Sequence, residues 1–198
     1  MKRIAVIAAI LAILAGCMTE TARFKPVEVA AVGATKVDAR AIGLLPLKDD
    51  RPNQKAGHIG GLRIKADDAA LAHVGGTLAK MLVERGFRVV ETTGDQSEPG
   101  PLQLPGGAIK TIAPVLQAMK ISTADAILFT AVSDVDLAVT VYDVGGKAIY
   151  ARKAHGENKG RLWVSMNYGK KSANAMSMAV DDALLQICED PEFLAALQ

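Results

Sequence analysis

His58, His73 and His155 are the chain's three histidines, and with its paired carboxylates they are the side chains best equipped for acid–base or metal chemistry. The histidines stand far apart, with no His-x-His or i, i+4 spacing of the kind that preforms a metal site. The acids cluster as Asp49-Asp50, Asp67-Asp68, Asp134 with Asp136, and Asp181-Asp182. Glycoside hydrolysis needs two carboxyl groups about 5 to 10 Å apart across a substrate cleft, and adjacency in sequence does not supply that. Asp67-Asp68 is accounted for by helix capping and the helix dipole. Asp134 and Asp136 share one face of a strand. Gly57, Gly60 and Gly61 lack the Lys-Ser/Thr ending of a phosphate loop, and the chain has no Gly-x-Ser-x-Gly elbow. No catalytic residue, metal site or cofactor is expected, so the chain reads as a non-enzyme.

Binding is the better prospect. Asp49, Asp50 and Arg51 open the segment Lys48 to Gly61 directly after an apolar run. Arg51 paired with either acid would pin the segment as a local clamp; alternatively the segment, with His58, is a recognition loop. A second candidate is Arg161, Trp163 and Tyr168, because arginine and aromatic side chains anchor interfaces; strand packing explains Trp163 equally well. Cys188 ends an apolar helical stripe with no flanking histidine or basic cluster to activate it, and reads as a buried thiol.

The elements that must position these residues follow from periodicity. "AIGLLPL" (41–47) reads as a buried first strand. A helix over 68–85 has Asp67 as N-cap, Leu71, Val74, Leu78 and Met81 or Leu82 on its apolar face, and Gly86 as its stop. Gly75 and Gly76 each cost this helix about 1 kcal/mol, which close approach to the sheet could offset. "FRVVE" (87–91) is a second strand, 92–107 a Pro/Gly-rich loop, and 109–121 a shorter helix with Pro114 in its first turn or at a kink. Ala126 to Ala131 is an apolar strand. Leu137, Val139 and Val141 alternate with Ala138, Thr140 and Tyr142, and Asp143-Val144-Gly145-Gly146 turns the chain back into Ala148 to Ala154. An edge strand over 160–168, a helix capped by Ser172 with Met176, Val180, Ala183, Leu184 and Ile187 inward, and a last helical turn from Pro191 complete the order β-α-β-α-β-β-β-α. The fold class is α/β (α+β): a mixed sheet of about four to six strands with two or three helices packed on it.

The amino terminus gives the most specific pattern. Lys2 and Arg3 precede the apolar run Ile4 to Leu14, which is shorter than the roughly 20 residues a spanning helix needs. Leu14-Ala15-Gly16-Cys17 resembles the lipobox of bacterial lipoproteins, in which the signal is cleaved before a cysteine that carries diacylglycerol and an N-acyl chain such as palmitate. The resemblance implies a signal peptide over 1–16, lipidation of Cys17, and a lipid-anchored protein. Met18, where Asp commonly marks inner-membrane retention, implies the outer membrane of a Gram-negative bacterium, facing the periplasm. Residues 17–37 read as a lipidated tether with one short strand, Val27 to Val32, able to reach about 65 Å. Residues 38–198 read as one periplasmic domain, ample for a hydrophobic core.

Loss of Lys2 and Arg3 leaves 21 basic residues against 21 acidic ones. A formally neutral domain is a poor partner for nucleic acid, which requires concentrated positive charge.

Taken in order, "LPLKDDRPNQ…HIGGL", "LVERGFRVVE", "ADAILFTAV" and "MAVDDALLQICEDPEFLAAL" resemble YajG-type lipoproteins over roughly residues 40 to 197. The wider architecture looks like the amino-terminal domain of TolB, the curli-secretion lipoprotein and the lipoprotein activators of penicillin-binding proteins; "VTVYDVGGKAIY" is similar to their hairpin. The resemblance implies a non-catalytic envelope lipoprotein that binds another envelope protein or the cell wall in support of assembly. Two rival readings stand beside it. One is an envelope hydrolase acting on wall fragments through an acidic pair. The other is a homo-oligomeric component of a secretion-type assembly.

Overall fold

The computed structural model describes residues 19–29, 41–59, 62–92, 108, 110–125, 130–161 and 167–198, leaving aside the side chains at 124, 125 and 161. Among them nine strands form one mixed sheet, with three helices. The strands are β1 (Thr19–Thr21), β2 (Ala41–Leu44), β3 (Lys48–Asp49), β4 (Lys55–Ile59), β5 (Leu62–Lys65), β6 (Arg88–Glu91), β7 (Lys110–Asp125), β8 (Thr130–Asp143) and β9 (Ala148–Arg161). The helices are α1 (Asp68–Glu84), α2 (Tyr168–Cys188) and α3 (Pro191–Leu197). The mixed-sheet class stands as expected, with more strands than the sequence suggested.

The main correction is β7. Of the stretch 109–121, expected as a helix, the described residues 110–121 are part of a long strand that organises the sheet. One edge pairs antiparallel with β8; the other receives β2, β3 and β4 in succession, all parallel. Thr111, Ile112, Val115, Ile121 and Thr123 are β-branched and favour the extended chain. Pro114 is tolerated because of where it falls. Alternate residues of a strand turn their backbone groups to the same side, so Pro114 shares a side with Ile112 and Leu116. The carbonyls of those two accept from Leu45 and Asp50, and Pro114 lies between them, where the chain has left β2 and not yet entered β3. The missing N–H breaks no ladder there.

β8 and β9 form the expected hairpin. Asp143 Oδ1 accepts from the N–H groups of Gly145 and Lys147, each at 2.9 Å, and Gly146 takes φ +78°, which suits glycine. Ser133, Val135, Leu137, Val139 and Val141 are buried, and the residues between them are half-buried. α2 covers the buried face so closely that a Cβ on Gly156 would lie 2.0 Å from the Ala179 carbonyl oxygen.

α1 runs as read, capped by Asp67, whose carboxylate accepts from the Ala69 N–H, and it ends before Gly86 at φ +88°. Val74, Leu78 and Leu82 are buried, and each such side chain contributes roughly 2 kcal/mol relative to exposure. Gly76 abuts Val27 of the amino-terminal segment rather than the sheet: a Cβ there would meet the Val27 Cβ at 3.0 Å. In α2, Met176, Val180, Ala183, Leu184, Ile187 and Cys188 are buried as expected.

α2 begins at Tyr168, however, so the strand expected over 160–168 stops at Arg161, residues 162–166 lying outside the described part. Ser172 is buried inside the helix with its hydroxyl unpartnered, not at the cap. Glu20 of β1 does the capping instead: its Oε1 accepts from the Gly169 N–H at 2.8 Å, satisfying an orphan donor of the first turn.

The amino-terminal segment is a strap on the body. β1 pairs parallel with β5, Ala22 N–H donates to the Lys65 carbonyl, and Arg23 N–H to that of Gly169. Val27 to Val29 are not strand, and residues 30–40 lie outside the described part, as does most of the loop expected over 92–107.

Candidate functional site

Four titratable side chains meet on the face of the β8–β9 hairpin opposite α2. The register sets Asp136 against His155 and Asp134 against Glu157. The outward N–H of Glu157 donates to Asp182 Oδ2 at 3.1 Å, and the His155 carbonyl accepts from Gln186 Nε2 at 2.7 Å. With those backbone groups turned toward α2, the two cross-strand pairs are of the non-hydrogen-bonded kind, whose side chains stand closest. His155 Nδ1 lies 2.7 Å from Asp136 Oδ1, and Nε2 lies 3.9 Å from Asp134 Oδ1. One donor atom from each of Asp134, His155 and Glu157 falls within 4.8 Å of the other two. The hydrogen bond to Asp136 pushes the imidazole above its ordinary pKa, and the charges of Asp136, Asp134 and Glu157 add to the effect. These groups can hold a cation.

Asp134 also borders a cleft of about 690 Å3 between the ends of β4, β7 and β8. Lys55 and His58 reach it from β4, and Lys120 and Ser122 from β7. Gly57, at φ +136°, lets β4 close on β7: a Cβ there would lie 1.9 Å from the Ile121 carbonyl oxygen. The cleft is cationic and hydroxylic along β4 and β7 and acidic toward β9. Such a surface suits a polar partner carrying charges of both signs.

The structure separates the residues singled out in the sequence. Asp49 and Arg51 are bonded to each other: Arg51 Nε donates to Asp49 Oδ1 at 2.7 Å and a terminal nitrogen to Oδ2 at 2.8 Å. The other terminal nitrogen donates to the Ala66 carbonyl at 2.9 Å, and the Arg51 side chain is 3% exposed. The Arg51 bonds hold the Asp49 carboxyl below the usual carboxylate range. This is the clamp reading. Asp50 is exposed, its N–H bonded to the Leu116 carbonyl. His58 alone of the first group lines the cleft.

Tyr168 opens α2 and packs against the core, and Arg161 ends β9. Trp163 and Cys17 lie outside the described residues. His73 is half-buried under the strap: Nδ1 is 3.0 Å from the Lys25 carbonyl, and its ring centroid is 5.3 Å from that of Phe24. Asp134 and Asp136 share a face as expected; the convergence of His155 and Glu157 on them is set by strand register and leaves no signature in sequence spacing.

No family model and no curated protein matches the chain. Among solved structures, the fold is similar to that of a neuraminyllactose-binding hemagglutinin homologue from Helicobacter pylori, at 12% identity and TM-score 0.50, covering 86% of this chain and 90% of that one. Protein XCC0632 from Xanthomonas campestris aligns at 8% identity and TM-score 0.49, over 91% of this chain and 93% of its own. Lipoprotein GNA1162 from Neisseria meningitidis aligns at 15% identity and TM-score 0.47, over 76% of this chain and 99% of its own. The structural neighbours thus include bacterial lipoproteins.

Proposed function

We propose that this chain is a non-catalytic, lipid-anchored envelope lipoprotein of the YajG type, whose sheet-end cleft receives another envelope protein or the cell wall. In this reading residues 1–16 are removed, Cys17 is acylated, and the body faces the periplasm from the outer membrane. The observation that carries the proposal is the lipobox Leu14 to Cys17, placed two residues ahead of the first strand of an α/β body. Lipoproteins among the structural neighbours accord with it. No helix among the described residues is long and apolar enough to cross a membrane. In this reading acyl chains on Cys17 supply the anchorage, and several together hold far more firmly than one.

Two experiments test the proposal. Cys17→Ser should block processing and acylation; a variant that still matures normally and fractionates with envelopes sinks the anchor. Photo-crosslinkers at Lys55 and Lys120 should capture an envelope component that the same probe at Lys80, on α1, does not. Equal capture from all three positions removes the cleft from the reading. The hydrolase alternative has its own observation, the Asp134–Asp136–Glu157 carboxylates. It predicts turnover of wall digests that is lost in Asp134→Asn, and absence of turnover in the parent chain rejects it.

A further inference from the structure

We propose that Asp134, His155 and Glu157 form a zinc site, with Asp136 as the positioning residue for the histidine. Three features carry the assignment. The donor atoms already converge, within 4.8 Å of one another and from two paired strands rather than from a loop, so small side-chain rotations close them on one ion. The donor set is one imidazole nitrogen and two carboxylates, which suits a borderline ion such as zinc better than magnesium or calcium, whose ligands are oxygens. The second shell is in place. Metal-bound histidines hand their other ring N–H to a carboxylate, and Asp136 takes that position, 2.7 Å from Nδ1. This fixes the tautomer that leaves the Nε2 lone pair on the side of Asp134.

The backbone behind the ligands is fixed as well. Asp182 and Gln186 of α2 bond the Glu157 N–H and the His155 carbonyl, and Gln186 Nε2 also donates to Asp182 at 3.3 Å. Gly156, between the two ligands, lies against the α2 backbone. Neither ligand can shift along β9 without disturbing the helix. Three protein ligands leave a fourth position for water, the pattern of an open zinc site rather than a closed structural one. The side chains are accessible, His155 being 56% exposed, so exchange with free ion should be fast. Asp134 also borders the cleft, so the two sites share one residue, but zinc binding needs no partner and is read directly from the protein alone.

The test uses the full-length chain in detergent, stripped with chelator and titrated with zinc chloride alone, with stoichiometry read by calorimetry and by native mass spectrometry. One equivalent should bind to the parent chain and to Asp68→Asn, on α1. Binding should be lost in His155→Ala and in Asp134→Asn, and weakened about tenfold or more in Asp136→Asn, the usual effect of removing a carboxylate behind a metal-bound histidine. Circular dichroism establishes that each variant is folded, and a zinc-induced rise in melting temperature in the parent that His155→Ala lacks gives a second readout. Failure of the parent to bind, undiminished binding in His155→Ala, or stronger binding of calcium than of zinc would each overturn the site.

Discussion

Asp49 and Arg51 illustrate how a residue pair that looks like a recognition motif can be consumed by structure. Three of the guanidinium's hydrogen bonds are internal, and one of them reaches the Ala66 carbonyl at the foot of α1. Hydrogen bonds to charged groups contribute roughly 1.5–3 kcal/mol, so Arg51→Ala should cost about 2 kcal/mol in chemical denaturation. The pair also sets an acid limit. The Asp49 carboxyl titrates below its ordinary value of 3.8 in the folded chain, so the unfolded state binds the proton first. The stabilisation is complete above the ordinary value and disappears as pH falls through the folded one. Melting temperature should hold from neutrality to about pH 5 and then fall, with a shallower fall in Asp49→Asn.

Cys188 makes the opposite case. Burial pushes its thiol up to about 11, so native protein at neutral pH should resist iodoacetamide and react only once unfolded.

At the scale of elements, β9 and α2 meet backbone to backbone at Gly156. A Cβ on Gly156 would lie 2.0 Å from the Ala179 oxygen and 2.6 Å from the Ala183 nitrogen, both backbone atoms that no rotamer change can move. Gly156→Ala should therefore destabilise by about 3 kcal/mol, the upper part of the range for overpacking, measured as a lower denaturation midpoint at unchanged slope.

The same hairpin shows what was legible in the sequence. Its turn, its alternation and the inward stripe of α2 were all readable, because each is a local pattern. The register was not. Tyr142 pairs with Ala148, and continuing that register would have set Asp136 against Ala154. A one-residue shift between Val141 and Tyr142 sets it against His155 instead. A single slip exchanges the faces of a strand, and no residue type at that point announces it. β7 was missed for a related reason. Proline and a run of mixed apolar residues read as a kinked helix, and the gap between β2 and β3 that accommodates Pro114 exists only in three dimensions. Ser172 failed as a cap because Glu20, which lies 149 residues from Gly169 in the chain, already holds that end of α2.

For the molecule as a whole, the decisive feature is the strap. Residues 19–29 were expected to be slack, and they are instead bonded to β5, to the start of α2 and, through His73, to α1. Only Met18 separates Thr19 from Cys17. If Cys17 carries the acyl chains, the leash between lipid and body is about 7 Å long at ~3.3 Å per residue, not the 65 Å of a free tether. The protein would then ride against the headgroups with the β1–β5 edge undermost, and Arg63 and Lys65, both exposed on β5, would belong to its footprint. A fluorophore at Lys65→Cys in vesicle-reconstituted protein should be quenched by headgroup-labelled lipid, and a Gly/Ser insertion after Met18 should relieve the quenching. So short a moorage would dictate orientation: with Cys17 acylated, whatever engages the protein would have to come to the bilayer surface to meet it.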